Sequence, residues 1–205
     1  MKSLKLLATF LLLIFTCSCS DDDGDSPTET LEEIQQQIQN FVSQDILDTL
    51  DELGFVFREG TDTPNISGSF SFSPHILIGD NIDDNFDIGD QFENTNYSIS
   101  NINNRTFNVE VTNGNTPLES TIINTFFTAN GNEFNAYIQQ ENIVGQSISV
   151  VTIRAISGII SSEGIIDAQN AVFTLSSTMP GNDGRLDPGQ GRLLEDSDGL
   201  AGRID

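Results

Sequence analysis

The chain has 205 residues, with 31 Asp and Glu against 8 Lys and Arg and a formal net charge of −23 at pH 7. Nucleic-acid binding needs a basic footprint, so this balance excludes it, and it disfavours direct adsorption to anionic lipid. One His and no Trp leave no basis for a His-rich metal site and argue against a tryptophan platform for carbohydrate.

At the N-terminus, Lys2 and Lys5 precede an apolar run from Leu6 to Phe15. Its length of about ten residues is that of a signal-peptide core, where a spanning helix needs roughly 20. The run ends in Thr16-Cys17-Ser18-Cys19-Ser20, small and polar residues that also read as an ordinary secretory cleavage site. Residues 1–18 are expected to be a signal peptide, residues 19–28 an acidic tether containing Gly24 and Pro27, and residues 29–205 one domain with its own core. Both lysines lie in the segment removed, so every basic residue beyond it is an arginine.

Ser18-Cys19 resembles the lipobox of bacterial lipoproteins. The resemblance implies cleavage before Cys19 and acylation of its sulfur and new amino group. Several chains on one residue hold a protein stably, where one binds only marginally. Ser20-Asp21-Asp22-Asp23 is similar to the Ser-plus-acidic export signal of Bacteroidetes-type lipoproteins. That implies a lipid-anchored location on the outer membrane, at the cell surface, with a periplasm-facing orientation as the alternative. An acylated Cys19 leaves no free thiol for a disulfide, a nucleophile or a zinc site, and a chain without lysine forms no Schiff base.

From residue 30 to 53 the sequence predicts helix. Apolar residues recur at Leu31, Ile34, Ile38, Phe41, Val42, Ile46, Leu50 and Leu53. Thr30 with Glu33 matches a capping box, Gly54 is a stop, and Ser43-Gln44-Asp45 is a candidate break.

Strand formers take over at Phe55. Strands are expected at Phe55–Phe57, Ile66–Phe72 and Ile76–Ile78, followed by an acidic loop over 79–93. Tyr97–Ile102 and Phe107–Val111 read as a hairpin around Asn103-Asn104. Further strands follow at 119–129 and, after the Asn130-Gly131 turn, at Phe134–Ile138. Residues 147–157 place Ile148, Val150, Thr152, Arg154 and Ile156 on one face. A hairpin around Ser162-Glu163 and a strand at Ala171–Leu175 come next. Gly191–Leu194 reads as a short closing strand within a segment, 180–205, otherwise read as loop.

About eight to ten strands joined by hairpins predict an all-β antiparallel up-and-down barrel preceded by an amphipathic helix, with a β-sandwich as the alternative. Gly68-Ser69-Phe70, followed by the long loop 74–93, resembles the lipocalin/calycin layout, with Phe70 where that family has Trp. The resemblance implies a barrel holding an apolar ligand and an arginine, Arg192, packed on Phe70.

Alternating acids mark two candidate calcium segments, Asp83, Asn85 and Asp87 in the loop and Asp196 and Asp198 before Gly199. The EF-hand pattern fails, because Ile88 stands where Gly is needed. No catalytic set emerges: His75 lacks a Gly-x-Ser-x-Gly partner, and among 31 acids some pair meets glycosidase spacing by chance. The expectation is a non-enzymatic, monomeric envelope lipoprotein that binds a small apolar ligand or a glycan. The alternative is a structural or interaction protein of the outer membrane without a small-molecule ligand.

Overall fold

The structure, a computed structural model, describes residues 29–118, 120–144, 148–178 and 187–204. The signal peptide, Cys19 and the tether lie outside the described residues.

The helical segment is two helices, α1 (Leu31–Phe41) and α2 (Gln44–Glu52). The capping box forms: Thr30 N–H donates to Glu33 Oε2 at 2.8 Å, and Glu33 N–H donates back to Thr30 Oγ1 at 3.3 Å. Extended Val42 and Ser43 separate the helices, and Gly54 follows α2 with φ +93°. One stripe, Ile34, Ile38, Val42, Ile46 and Leu50, is buried.

The expected strand at Phe55–Phe57 does not form. This segment crosses the outer face of other strands, and their side chains take up its backbone groups. Val56 N–H donates to Gln169 Oε1 at 2.8 Å, and Val56 C=O accepts from Ser157 Oγ at 2.6 Å and Asn135 Nδ2 at 3.0 Å. Polar side chains stand where a ladder would, so β-propensity alone does not make a strand here.

The strands are β1 (Gly68–Phe72), β2 (His75–Asp80), β3 (Gln91–Phe92), β4 (Thr95–Asn103), β5 (Thr106–Asn113), β6 (Thr116–Pro117), β7 (Ser120–Asn130), β8 (Glu133–Val144), β9 (Ile148–Ile160), β10 (Gly164–Ser177), β11 (Gly191–Asp196) and β12 (Leu200–Arg203). They form one 12-stranded sheet in which each ladder between these strands is antiparallel.

The sheet branches at β10. One side of β10 pairs with β9. On the other side Gly164–Ile166 pair with β12, and Gln169–Phe173 pair with β11. Between these stretches the register shifts and Asp167 takes φ +50°, a bulge that re-aims the strand. One branch runs β12-β1-β4-β5-β6 and the other runs β11-β2-β3.

The up-and-down barrel is therefore corrected to an open, branched sheet. It curls until β5 approaches β7, but no ladder joins them. Phe127 N–H donates to Arg105 C=O at 2.9 Å. The Thr125 hydroxyl accepts from Phe107 N–H at 3.0 Å and donates to Phe107 C=O at 2.6 Å, standing where a strand would pair.

Strands β7 to β10 are apolar on both faces. Phe127, Ala136, Ile138 and Ile156 join Phe70, Phe72 and Tyr97 in the interior of the curl. Their neighbours Phe126, Tyr137, Ala155 and Phe173 pack outward with the stripe of α1 and α2. Alternation along each strand explains the division. Gly191, directly opposite Phe173, has to be glycine, since a Cβ there would come within 2.4 Å of the Phe173 ring.

The arginine on Phe70 is not Arg192. Arg203, in β12 and paired with Phe70 in register, lies 4.9 Å over the ring. Gly68, at φ +147°, makes the room, because a Cβ there would meet Arg203 Nη1 at 2.2 Å. Segment 180–205 read as loop, so β12 and its arginine were missed.

Helix docking is checked by urea unfolding. Leu50, wholly buried, is expected to cost about 2–5 kcal/mol when cut to Ala. Leu31, 47% exposed, is expected to cost less than about 0.5 kcal/mol. Equal small losses would mean that the helices are not part of the folded unit.

Candidate functional site

The interior of the curl has two unlike ends. Large apolar side chains fill one. Toward the other, the same faces of the same strands turn polar: Ile156 gives way to Arg154 on β9, and Ile99 to Tyr97 and then Thr95 on β4. The β11-β2-β3 branch wraps this end and adds His75, Phe92 and Leu194. Together with Thr95, Arg154 and Val172 these residues line a cavity of about 180 Å³. Glu93 is the exposed acid of the lining.

A chain of hydrogen bonds runs along the cavity wall. Arg154 Nη1 donates to Tyr97 Oη at 3.3 Å, and Tyr97 Oη donates to Asn170 Oδ1 at 2.9 Å. That bond turns Asn170 Nδ2 toward His75 Nε2, at 3.2 Å. An amide NH2 only donates, so Nε2 accepts and the imidazole proton is assigned to Nδ1. From there it faces Glu93 C=O and Thr95 Oγ1, each at 3.4 Å.

Burial sets the charge states. Desolvation pushes the His75 pKa down to about 4; its bond to the Glu93 carbonyl opposes this, and the Arg154 charge adds to it. Burial raises Tyr97. At neutral pH the imidazole and phenol are uncharged, and Arg154 is the cation of the chain.

Arg154 is 9% exposed, and its buried Nε has no hydrogen-bond partner. Among the described residues no carboxylate pairs with it. The other interior-facing and core arginines differ. Arg105 reaches Glu29 at 2.6 Å and the carbonyls of Thr61 and Asp62, and Arg58 reaches Glu133 at 3.6 Å. Arg192, also in the lining, bonds Asp84 and lies 5.0 Å over Phe86 and 5.3 Å over Phe92. It pins the β2–β3 loop over the sheet.

The calcium candidates do not assemble. Among the described residues no three His, Cys, Asp or Glu form a metal-holding group. Asp83, Asn85 and Asp87 lie exposed in the β2–β3 loop. The loop spends its carboxylates on itself: Asp84 accepts from Phe86 N–H at 3.0 Å, and Asp90 from Asp87 N–H at 2.9 Å. Asp196 is 2% exposed and accepts from Ser73 N–H at 2.7 Å; Asp198 accepts from Leu200 N–H at 3.0 Å. These two shape the β11–β12 turn. Burial pushes the Asp196 pKa up to about 6, and the neighbouring Asp198 carboxyl adds to the rise.

Sequence reasoning missed this polar end. Its signal was present in one position: Arg154 is a lone charge on the otherwise apolar and hydroxylic face of β9. His75, which falls in the segment 74–93 expected as a long loop, is 3% exposed and starts β2. Comparison with models of protein families, with curated proteins and with solved structures finds no match.

His75 makes stability depend on pH. Its folded pKa of about 4 lies below the ordinary 6.5, so between these values the unfolded chain binds the extra proton. Folding free energy is lost as pH falls through that window, up to about 3 kcal/mol at 1.36 kcal/mol per unit. Asp196 has the opposite sign, since its pKa of about 6 exceeds the ordinary 3.8. His75→Gln is therefore compared with the parent chain in an Asp196→Asn background. Urea midpoints at pH 7 and pH 4.5 are expected to differ less in the His75 variant. Equal differences would show that His75 is not buried neutral.

Proposed function

We propose that this chain is a surface-exposed outer-membrane lipoprotein, anchored through Cys19, whose β-domain is a non-catalytic binding module for a small molecule. The anchor rests on the Leu6–Phe15 run, Ser18-Cys19 and the acidic residues after Ser20. The binding role rests on one observation, a cavity with a buried cation at the polar end of an otherwise packed interior.

Packing narrows the reading. Phe70, Phe72, Phe127 and Phe134 are wholly buried in the interior, so a ligand threaded along the axis has no room. The polar end is the place left for one. Phe92, Val172 and Leu194 offer it an apolar wall, which favours an apolar body over a glycan.

A second reading, an envelope interaction protein, has its own support. The seam between β5 and β7 opens on a groove of about 670 Å³. Ile123, on the β7 side of it, is 51% exposed. Backbone edges without a ladder can accept an added strand.

The test expresses the full chain and its Cys19→Ser variant, follows membrane fractionation and protease access on intact cells, and analyses small molecules released on denaturing the purified protein. The expected outcome is a wild-type chain in the outer membrane and cleavable from outside, a variant released into the soluble fraction, and a co-purifying small molecule near one per chain. Unchanged membrane retention of Cys19→Ser would overturn the anchor. A chain that releases nothing and binds none of a panel of neutral and anionic compounds would overturn the binding role.

A further inference from the structure

We propose that the cavity at the polar end of the curl binds a small monocarboxylate with an aromatic or short aliphatic body, and that Arg154 pairs with its carboxylate. The inference rests on the binding-module reading and adds the ligand's charge, size and partner.

The argument begins with an unmet charge. A guanidinium taken out of water is costly unless paired and hydrogen-bonded. Arg154 keeps its charge, because Arg does not deprotonate in proteins. Yet among the described residues only one of its five N–H donors, on Nη1, finds a protein acceptor, the Tyr97 phenol. Its Nε is buried and unpartnered, and the side chain lines the cavity. The chain carries 31 acids, yet among the described residues none reaches this cation. No described acid fills that place, so an anion supplied from outside is assigned to it, and a planar fork of donors matches a carboxylate bidentately.

Size and lining select the remainder of the ligand. A dry cavity of roughly 150 Å³ holds a benzene ring, and this one is about 180 Å³. Phe92, Val172 and Leu194 are the apolar contacts for such a body. Thr95, 4% exposed, faces the imidazole N–H with its oxygen and keeps its own proton as a second donor. Arg192 cannot substitute for Arg154, since Asp84 and two phenyl rings already engage it. Glu93, the exposed acid of the lining, repels anions, so its removal strengthens binding.

The probe is benzoate, titrated calorimetrically into the full chain in maltoside micelles, with benzamide as the uncharged analogue of the same shape. Benzoate is expected to bind at least tenfold tighter than benzamide. Arg154→Met is expected to abolish that preference, Arg154→Lys to retain part of it, and Glu93→Gln to tighten benzoate. The benzoate–benzamide comparison on the wild-type chain needs no variant to fold. Equal affinity for the two compounds would overturn the carboxylate assignment and leave the binding module standing. Loss of benzoate binding in Glu93→Gln, or unchanged benzoate preference in Arg154→Met, would also overturn it. Binding of neither compound overturns this inference alone; the wider reading falls only if the whole panel fails.

Discussion

A single desolvated guanidinium governs the account. Folding places Arg154 in the interior of a curled sheet, beside a neutral imidazole and a neutral phenol, and among the described residues supplies it no carboxylate. An ion pair between buried partners roughly breaks even in stability, whereas a buried charge without its partner is a net cost. The fold carries that cost in a chain whose overall charge is −23. Other described arginines meet acids, backbone carbonyls or aromatic rings; Arg192, whose Nε is also without a hydrogen-bond partner, still holds Asp84 and two phenyl rings, so the cation left without an acid lies in the cavity at the polar end.

Three features of the fold produce that end. The bulge at Asp167 splits the partners of β10, sending β12 to one branch and β11 to the other. The β11-β2-β3 branch then curves over the open end and brings His75 and Phe92 to it. Finally, α1 and α2 cover the outer face of β7 to β10, which frees the alternate residues of those strands to line the interior. Moving the register of β9 by one residue would turn Arg154 to the outer face, under the helices and away from Tyr97 and the cavity, so the site depends on the pleat as much as on the residue.

Much of this architecture was legible in the sequence because its signals are local. The Thr30–Glu33 box, Gly54, the two asparagine hairpins, which turn one residue later than expected at Asn104-Arg105 and Gly131-Asn132, and the alternating strands each act over a few residues. What was not legible depends on contacts far apart in the chain. The branch at β10 is a choice between two later strands, β12, whose Gly202 pairs with Gly164, and β11, whose Gly191 pairs with Phe173. The arginine on Phe70 is Arg203 rather than Arg192 because β12, not β11, lies beside β1. The calcium segments show how little spacing alone decides, because alternating acids serve turns as readily as metals: Asp84, Asp90 and Asp198 each accept from an N–H two or three residues away, and Asp196 from Ser73. The charge of Arg154 was visible on its strand face, but its lack of a partner is a property of the whole fold.

The central claim is that Arg154 serves a ligand and burdens the empty domain. The direct measurement is the urea unfolding free energy of ligand-free wild type and Arg154→Met at pH 7. Tyr97 keeps its bond to Asn170 in the variant, and Met fills the guanidinium stem's volume without a charge. The account predicts a variant at least as stable as wild type. A loss of about 3 kcal/mol or more, the size expected from breaking a buried pair, would show that Arg154 already has its counter-charge within the fold and would contradict the account.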